Sequence, residues 1–474
     1  MTLSTAGCNL RKLKTASANS SPSKQARTGH LFPLLAACLP AIIPLAAARE
    51  ARKPEPPPKP QHASDESVPG LLTLNAAKRI AYEHNWDLLA AQAGVDLAVA
   101  QKIVAREFPN PTLSWSTQKV NTDSHPSATT AGNSVWNRNY DTIFAVNQLF
   151  EIGGKRTSRQ QSAAAGIKAA EAALLDARRT LNLGVSKAYI GVLLADGLAT
   201  VLEHSAETMR HEREIAQTRF KAGDVSESDR MQIEIAAARL ELDARAARSN
   251  TRTARIALEV LLGAKKITGS WQAVDTLLQV AALPPGTGNP YTRPDLQAAR
   301  ELLKKSEADL KLQKAMRVPD PTFLLQYEHQ APDQPNTVGF GFSLPLPLWN
   351  HNGGNIKAAE AARRQAEMAM GKIESQVASD VATADVAYAE ATSRWAAYQS
   401  DLQAKSAKVL ETVQFAYKKG GASLLDLFAA QRTDNDVRTA AVQAMADRAV
   451  AAVTLAAARN GSETKPKLIN APTN

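Results

Sequence analysis

Two stretches of this chain place Gly, Ser and Asp at the same spacing between helical patterns, and that repetition limits the fold more than any other feature. One reads Phe220-Lys221-Ala222-Gly223-Asp224-Val225-Ser226-Glu227-Ser228-Asp229, the other Tyr417-Lys418-Lys419-Gly420-Gly421-Ala422-Ser423-Leu424-Leu425-Asp426. Gly223 and Gly420 suit the left-handed position just past a helix end. Ser226 with Asp229, and Ser423 with Asp426, have capping-box spacing, in which a hydroxyl and a carboxylate three residues on satisfy orphan N–H groups. Each stretch is therefore the tip of an αα-hairpin. A length of 474 residues would by itself allow two or three domains; the repeat predicts one duplicated unit instead.

The same order of patterns occurs on both sides of a Pro- and Gly-bearing connection at 284–288. In the first half, apolar residues at helical spacing predict a helix over 73–107, stopped by Pro109-Asn110-Pro111. Strand candidates follow at 112–120 and 140–149, separated by a polar loop. The segment from Phe150 to Arg156 then turns into a very long helix reaching about Phe220, and after the tip another spans 226–262. In the second half, the helix covers 293–317 and Pro319-Asp320-Pro321 ends it. Strands are predicted at 323–329 and 337–346, the latter with Val338, Phe340, Phe342, Leu344 and Leu346 on one face. A second long helix reaches about Lys418, and the last covers 423–459.

Lengths then set the architecture. A helix of roughly 65 residues is about 100 Å long, and in each half the two shorter helices laid end to end match it. Each half thus reads as a long rod beside two stacked short ones, with a β-hairpin at the end far from the glycine tip. Strands of about ten residues are long enough to cross a bilayer when tilted, and their alternation of apolar with small or polar residues is that of a membrane barrel wall. Four strands cannot close a barrel, and open edges are not tolerated in lipid. The barrel must be shared between chains: two copies give eight strands and a packed interior, three give twelve and room for a channel.

Composition agrees. Aromatics make up only 5% of the chain although 44% is hydrophobic, the signature of alanine-rich rods in close contact. The net charge of +10 is spread among acidic residues along helices, which describes solvated faces and not a nucleic-acid footprint. Arg11, Lys12, Lys14, Lys24 and Arg27 precede an apolar run ending in Ala46-Ala47-Ala48, an export signal. Two readings of it stand: cleavage after Ala48, favoured because the run continues past Cys38, or acylation of Cys38 in Leu35-Ala36-Ala37-Cys38, which resembles a lipoprotein signal. Cys8 and Cys38 are the only cysteines, so past this leader no disulfide framework, thiolate metal site or cysteine nucleophile is available. The expected organisation is a signal peptide at 1–48, a Pro-rich linker at 49–70, repeats at 71–285 and 286–463, and a tail at 464–474.

The duplicated layout, the two Gly-x-x-Ser-x-x-Asp tips and the leader resemble the TolC family of outer membrane factors over about residues 71–462. Phe150-Glu151-Ile152-Gly153-Gly154-Lys155-Arg156 and Pro345-Leu346-Pro347-Leu348-Trp349-Asn350 are similar to segments of its CzcC-like, heavy-metal efflux branch, which often has Arg-Asn-Gln-Gly where this chain has His351-Asn352-Gly353-Gly354. The resemblance implies an α+β membrane fold: a homotrimer with a twelve-stranded outer-membrane β-barrel, four strands per chain, and a long helical tunnel in the periplasm of a Gram-negative cell. It implies a periplasmic adaptor and an inner-membrane RND-type pump as partners, with no nucleic acid and no cofactor. The chain would be a passive conduit for divalent cations of the cobalt, zinc, cadmium and nickel class, not an enzyme. Drug export, type I protein secretion, or a poreless periplasmic scaffold are the alternatives.

The resemblance makes Asp426 a periplasmic gate candidate, since a ring of three carboxylates attracts cations and repels its own members; Asp229 is its weaker counterpart. Family positions for a second acid and a tip arginine fall at Ala429 and Ala422. The tips, with Gly223, Ser226, Gly420 and Ser423, are candidate adaptor contacts. His204, Glu207 and His211 share a helix face, but the two imidazoles lie about 10 Å apart along the axis, too far to share an ion. With His125 and His351 they read as polar surface, and no metal site is assigned. No phosphate loop, activated nucleophile or zinc-protease motif occurs.

Overall fold

The computed structural model describes residues 68–118, 141–330 and 334–461. The leader with Cys38, most of the linker, residues 119–140 with His125, residues 331–333 and the tail lie outside the described residues.

The first half opens with a two-residue strand, β1 (Leu71–Leu72), then α1 (Leu74–His84) and α2 (Trp86–Arg106). The sequence predicts one helix here; the structure divides it at Asn85. That side chain accepts from Leu88 N at 3.0 Å and donates to Leu261 O at 3.0 Å, and an Asn that bonds neighbouring backbone competes with helix continuation. Strands β2 (Thr112–Gln118) and β3 (Asp141–Leu149) lead to α3 (Lys155–Lys221), a 67-residue helix, and α4 (Glu227–Leu261).

The connection between halves is more than a loop. It holds β4 (Gln272–Ala273), parallel to β1, the short helix α5 (Leu277–Ala282) and a 3₁₀ turn at Pro290–Thr292. Two-residue strands carry no period for sequence reading to find. They nevertheless organise the main core, where the Tyr189 and Trp271 rings stack 6.4 Å apart. The Tyr189 hydroxyl lies 2.9 Å from both Leu72 O and Asp275 Oδ2, and burial with that carboxylate raises its pKa well above the ordinary phenol value.

The second half comprises α6 (Pro294–Ala315), β5 (Thr322–Gln330), β6 (Gln334–Ser343), α7 (Gly353–Ala397), α8 (Gln403–Lys418) and α9 (Leu424–Ala458). The sequence predicts β6 to run to Leu346; it stops at Ser343, opposite Thr322, where its partner begins. The predicted continuous second rod is interrupted by a π turn, Tyr398–Leu402. Above this turn Arg448 lies over the Trp395 ring at 4.8 Å. Below it Ser406, the one buried residue of α8, donates to buried Asp434 at 2.9 Å.

Three tiers result, each an open array. The sheet order is β2-β3-β5-β6, all antiparallel. Next to it the helices lie in the order α2-α3-α6-α7, and towards the tips α4-α3-α9-α8. The long α3 is central to both helical tiers. Alanines allow the close approach of α9, where Ala441, Ala444, Ala449 and Ala452 are buried. Length and composition alone would let α2, α3 and α9 cross a membrane; the membrane reading of this chain rests on the sheet.

Candidate functional site

Pairing aligns the two faces of the sheet across all four strands. Trp115 stands opposite Phe144, Phe144 opposite Tyr327, and Tyr327 opposite Val338; Leu113, Val146, Leu325 and Phe340 form the parallel row. These side chains make one continuous apolar face, and Phe340 is 84% exposed. The opposite face carries Ser114, Ser116, Ala145, Gln326, Gly339 and Gly341. A solvent-exposed apolar band of this size on one side of a sheet is a membrane surface. Gly339 and Gly341 leave room for their neighbours: an added Cβ would meet Gln326 Cγ at 3.0 Å and Leu324 Cδ2 at 3.3 Å.

An ion pair between a buried lysine and a half-buried aspartate fixes the sheet to the helices. Lys155, at the start of α3, lies 2.6 Å from Asp320 Oδ1 and donates to Val318 O at 2.6 Å. Asp320 Oδ1 also accepts from Ile152 N at 2.9 Å. Glu151 takes the Arg159 guanidinium beside it. The Phe150-to-Arg156 segment singled out in the sequence is thus a joint. Sequence reading missed that it closes on the Pro319-Asp320-Pro321 turn of the other half.

At the far end both tips turn at their glycines, and the second forms the full capping box that the spacing predicts. Gly223 and Gly420 have φ of 84° and 80°, and the amides that follow reach back, Asp224 N to Arg219 O at 3.0 Å and Gly421 N to Ala416 O at 2.8 Å. Ser423 and Asp426 make the full reciprocal box: Ser423 Oγ accepts from Asp426 N at 3.2 Å and Asp426 Oδ2 accepts from Ser423 N at 3.0 Å. The Ser423 hydroxyl and amide hold the Asp426 carboxyl below the usual carboxylate range. The first tip differs. Ser226 Oγ accepts from Asp229 N at 3.1 Å, but the Asp229 carboxylate returns no bond. Ser228 sits 3.2 Å from Ser226 instead.

The two tips are tied together by residues that sequence reading did not select. Arg219 Nη2 donates to Lys418 O at 2.9 Å, and Lys418 Nζ lies 3.9 Å from Glu212. Between them burial raises the Tyr417 phenol pKa. Arg219, Lys418 and Tyr417 stand on the helix flanks of the two glycines, so the repeat itself was the available signal. His204, Glu207 and His211 are exposed along α3, and His351 is exposed after β6. Among the described residues no group of three or more His, Cys, Asp or Glu side chains could hold a metal ion.

Comparison with known proteins agrees with this geometry. Residues 79–264 and 291–461 match the family described as outer membrane efflux protein. The chain is 26% identical over 296 residues to the cobalt-zinc-cadmium resistance protein CzcC of Cupriavidus metallidurans, a match spanning 61% of this chain and 66% of that protein, just under two thirds. In fold it is similar to a membrane protein from Pseudomonas aeruginosa, with a TM-score of 0.69 at 20% identity over 81% of this chain and 92% of that one. It is also similar to the outer membrane protein VceC from Vibrio cholerae, with a TM-score of 0.66 at 18% identity over 82% and 96%. A sheet with one membrane face, set on an array of rods that ends in two capped tips, is thus the fold of an outer-membrane channel and not of an enzyme, and this chain belongs to the outer membrane efflux protein family.

Proposed function

We propose that this chain is one third of a trimeric outer-membrane conduit that passes divalent metal cations outward. A periplasmic adaptor would dock on the tips, and an inner-membrane RND-type pump would supply the energy. The observation that carries the ring is that all three tiers stop at the same two sides. One side shows β2, α2 and α4, the other β6, α7 and α8. Both sides expose apolar residues: Ile103 and Ile235 on the first, Val386, Val409 and Phe415 on the second. Identical copies laid side by side cover each with the other, and three copies supply twelve strands. Metal as cargo rests on the likeness to CzcC.

The test is deletion of the gene with complementation, scoring growth in cobalt, zinc, cadmium, nickel and copper and in dyes and detergents. Sensitivity to divalent metals alone, reversed by the gene, is the expected result. Sensitivity to dyes and detergents alone would reassign the conduit to drug export. A protein recovered in the soluble periplasm, with no outer-membrane fraction, would mean a poreless scaffold.

Within this reading Asp426, exposed at the second tip, belongs to the periplasmic constriction, and the tip residues Gly223, Ser226, Gly420 and Ser423 to the adaptor surface. Asp426→Asn keeps the shape of the side chain and removes its charge. In planar bilayers under a salt gradient, the reversal potential of this variant should move towards lower cation preference. An unchanged reversal potential would take Asp426 out of the conduction path.

A further inference from the structure

Among the described residues the outer edges of β2 and β6 have no strand partner. We infer from the internal repeat how they meet: β6 of one copy pairs antiparallel with β2 of the next, Ser343 opposite Ser114, Phe342 opposite Trp115 and Leu344 opposite Leu113. This register rests on the ring proposed above and specifies its seam.

The chain contains its own template for that seam. Pro109-Asn110-Pro111-Thr112 opens β2 and Pro319-Asp320-Pro321-Thr322 opens β5, so Thr112 and Thr322 are equivalent. In their hairpins Thr112 stands opposite Asn147 and Thr322 opposite Ser343, which makes Asn147 and Ser343 equivalent. On its other side β3 has a second neighbour, β5, which places Leu324 opposite Asn147. The residue of β2 equivalent to Leu324 is Ser114. The contact between halves, transferred to the contact between copies, therefore sets Ser114 against Ser343.

Two features not used in that derivation support it. First, the faces match. Phe342 and Leu344 fall in the rows of Trp115 and Leu113, while Ser343 and Gly341 fall with Ser114 and Ser116. A slip of one residue would put every aromatic on the wrong side. Second, the match extends past the strand ends, which a slip of two residues would not preserve. After β3, Phe150 N donates to Pro321 O at 2.9 Å, and the Phe150 ring meets Phe323 edge-on at 5.4 Å. The equivalents at the seam are Leu346, Pro111 and Leu113. Leu113 is 75% exposed and Leu346 69% exposed in the single chain, and the register brings these two together.

The hydrogen-bond phase also transfers. Phe150 and Pro321 form a hydrogen-bonded pair, so Asn147 and Leu324, three steps along, form a non-hydrogen-bonded one. Ser343 and Ser114 inherit that phase, with Cα atoms about 4.5 Å apart, within reach of a disulfide.

The experiment is oxidative cross-linking of the full chain in outer membranes. Ser343→Cys combined with Ser114→Cys should shift the chain from monomer mass to dimer and trimer masses on non-reducing denaturing gels and return it on reduction. Either single variant should stay at monomer mass. Ser343→Cys combined with Thr112→Cys or with Ser116→Cys, one pleat to either side, should not link. Linking by one of those pairs in place of Ser114 overturns the register and leaves the ring standing. No linking by any pair, in a preparation with the native mass of three chains, overturns the β6–β2 pairing. The native mass of one chain overturns the ring itself.

Discussion

Arg293→Ala should lower the unfolding free energy of this protein by about 3–5 kcal/mol, the usual cost of removing one partner from a buried ion cluster. The Arg293 side chain is 4% exposed and is held on three sides. Nε and Nη2 donate to the two oxygens of Asp295 at 3.1 and 2.6 Å, and Nη1 donates to Asp380 at 2.9 Å. Asp295 stands in the first turn of α6 and Asp380 on α7, so the guanidinium joins two helices of the upper tier where the halves meet. Truncation takes the shared cation from both carboxylates and leaves only Arg179, 3.9 Å from Asp295 Oδ2, beside the cluster. Arg293→Lys should recover part of the loss, because an ammonium keeps the charge and not the fork. Urea unfolding of the detergent-solubilised protein measures both. In the double variant Arg293→Ala/Asp380→Ala the costs should add to less than their sum, since the second change removes a carboxylate that the first has stranded.

The same cluster gives a pH dependence with a definite sign. Burial pushes the Asp295 carboxyl up, but the Arg293 hydrogen bond and charge and the Leu296 amide outweigh it, and its pKa lies below the ordinary carboxylate value. A depressed carboxyl stabilises fully above its unfolded pKa of about 3.9 and loses that contribution as pH falls through the folded value. The difference between wild type and Arg293→Ala should therefore be constant from neutral pH to about pH 5 and shrink below about pH 4. A gap that stays constant below pH 4 would show that Arg293 acts through packing alone.

What could be read from the sequence followed from whether a feature is local. The tips are local: a glycine that needs positive φ and a serine three residues on declare themselves within one turn, and Gly420, Ser423 and Asp426 adopt the expected geometry. The strands are nearly local, because a period of two survives wherever one face meets a different medium, as in Val338, Phe340 and Phe342. The joints are not local. Lys155 meets Asp320 from the other half, and Tyr189 meets Leu72 and Asp275 across most of the first repeat. Asp434 and Arg438 are a pair four residues apart on one helix, a spacing that does not distinguish a solvated face from a buried one. Only the packing of α8 on α9 makes Asp434 a buried acceptor for Ser406. Short strands and single-residue breaks fall below the length at which periodicity says anything.

Gly263→Ala should be the most damaging single methyl in the first half, with an expected loss of about 4 kcal/mol or more. Gly263 ends α4 with φ of 74°, and a Cβ there would lie 2.1 Å from His84 O and 2.6 Å from His84 C. The left-handed conformation alone costs a residue with a side chain about 1–2 kcal/mol. The obstacle is backbone, so no rotamer can relieve it, and the chain at 84–85 must move. That is where α1 ends and α2 begins. Asn85 caps α2 through Leu88 N and ties α4 to this corner through Leu261 O; displacing it loses a cap worth about 1 kcal/mol and strands a buried amide at about 1–3 kcal/mol. Against a typical total of about 5–15 kcal/mol, the variant should yield little folded protein in outer membranes and, under the function proposed above, a metal-sensitive strain. Gly223→Ala separates conformation from collision. Gly223 has the same sign of φ, but nothing lies within 4 Å of the added carbon, so it should cost only the conformational share and leave the amount of folded channel nearly unchanged. Equal losses at both positions would mean that the close approach to His84 contributes nothing and that backbone conformation accounts for the whole effect.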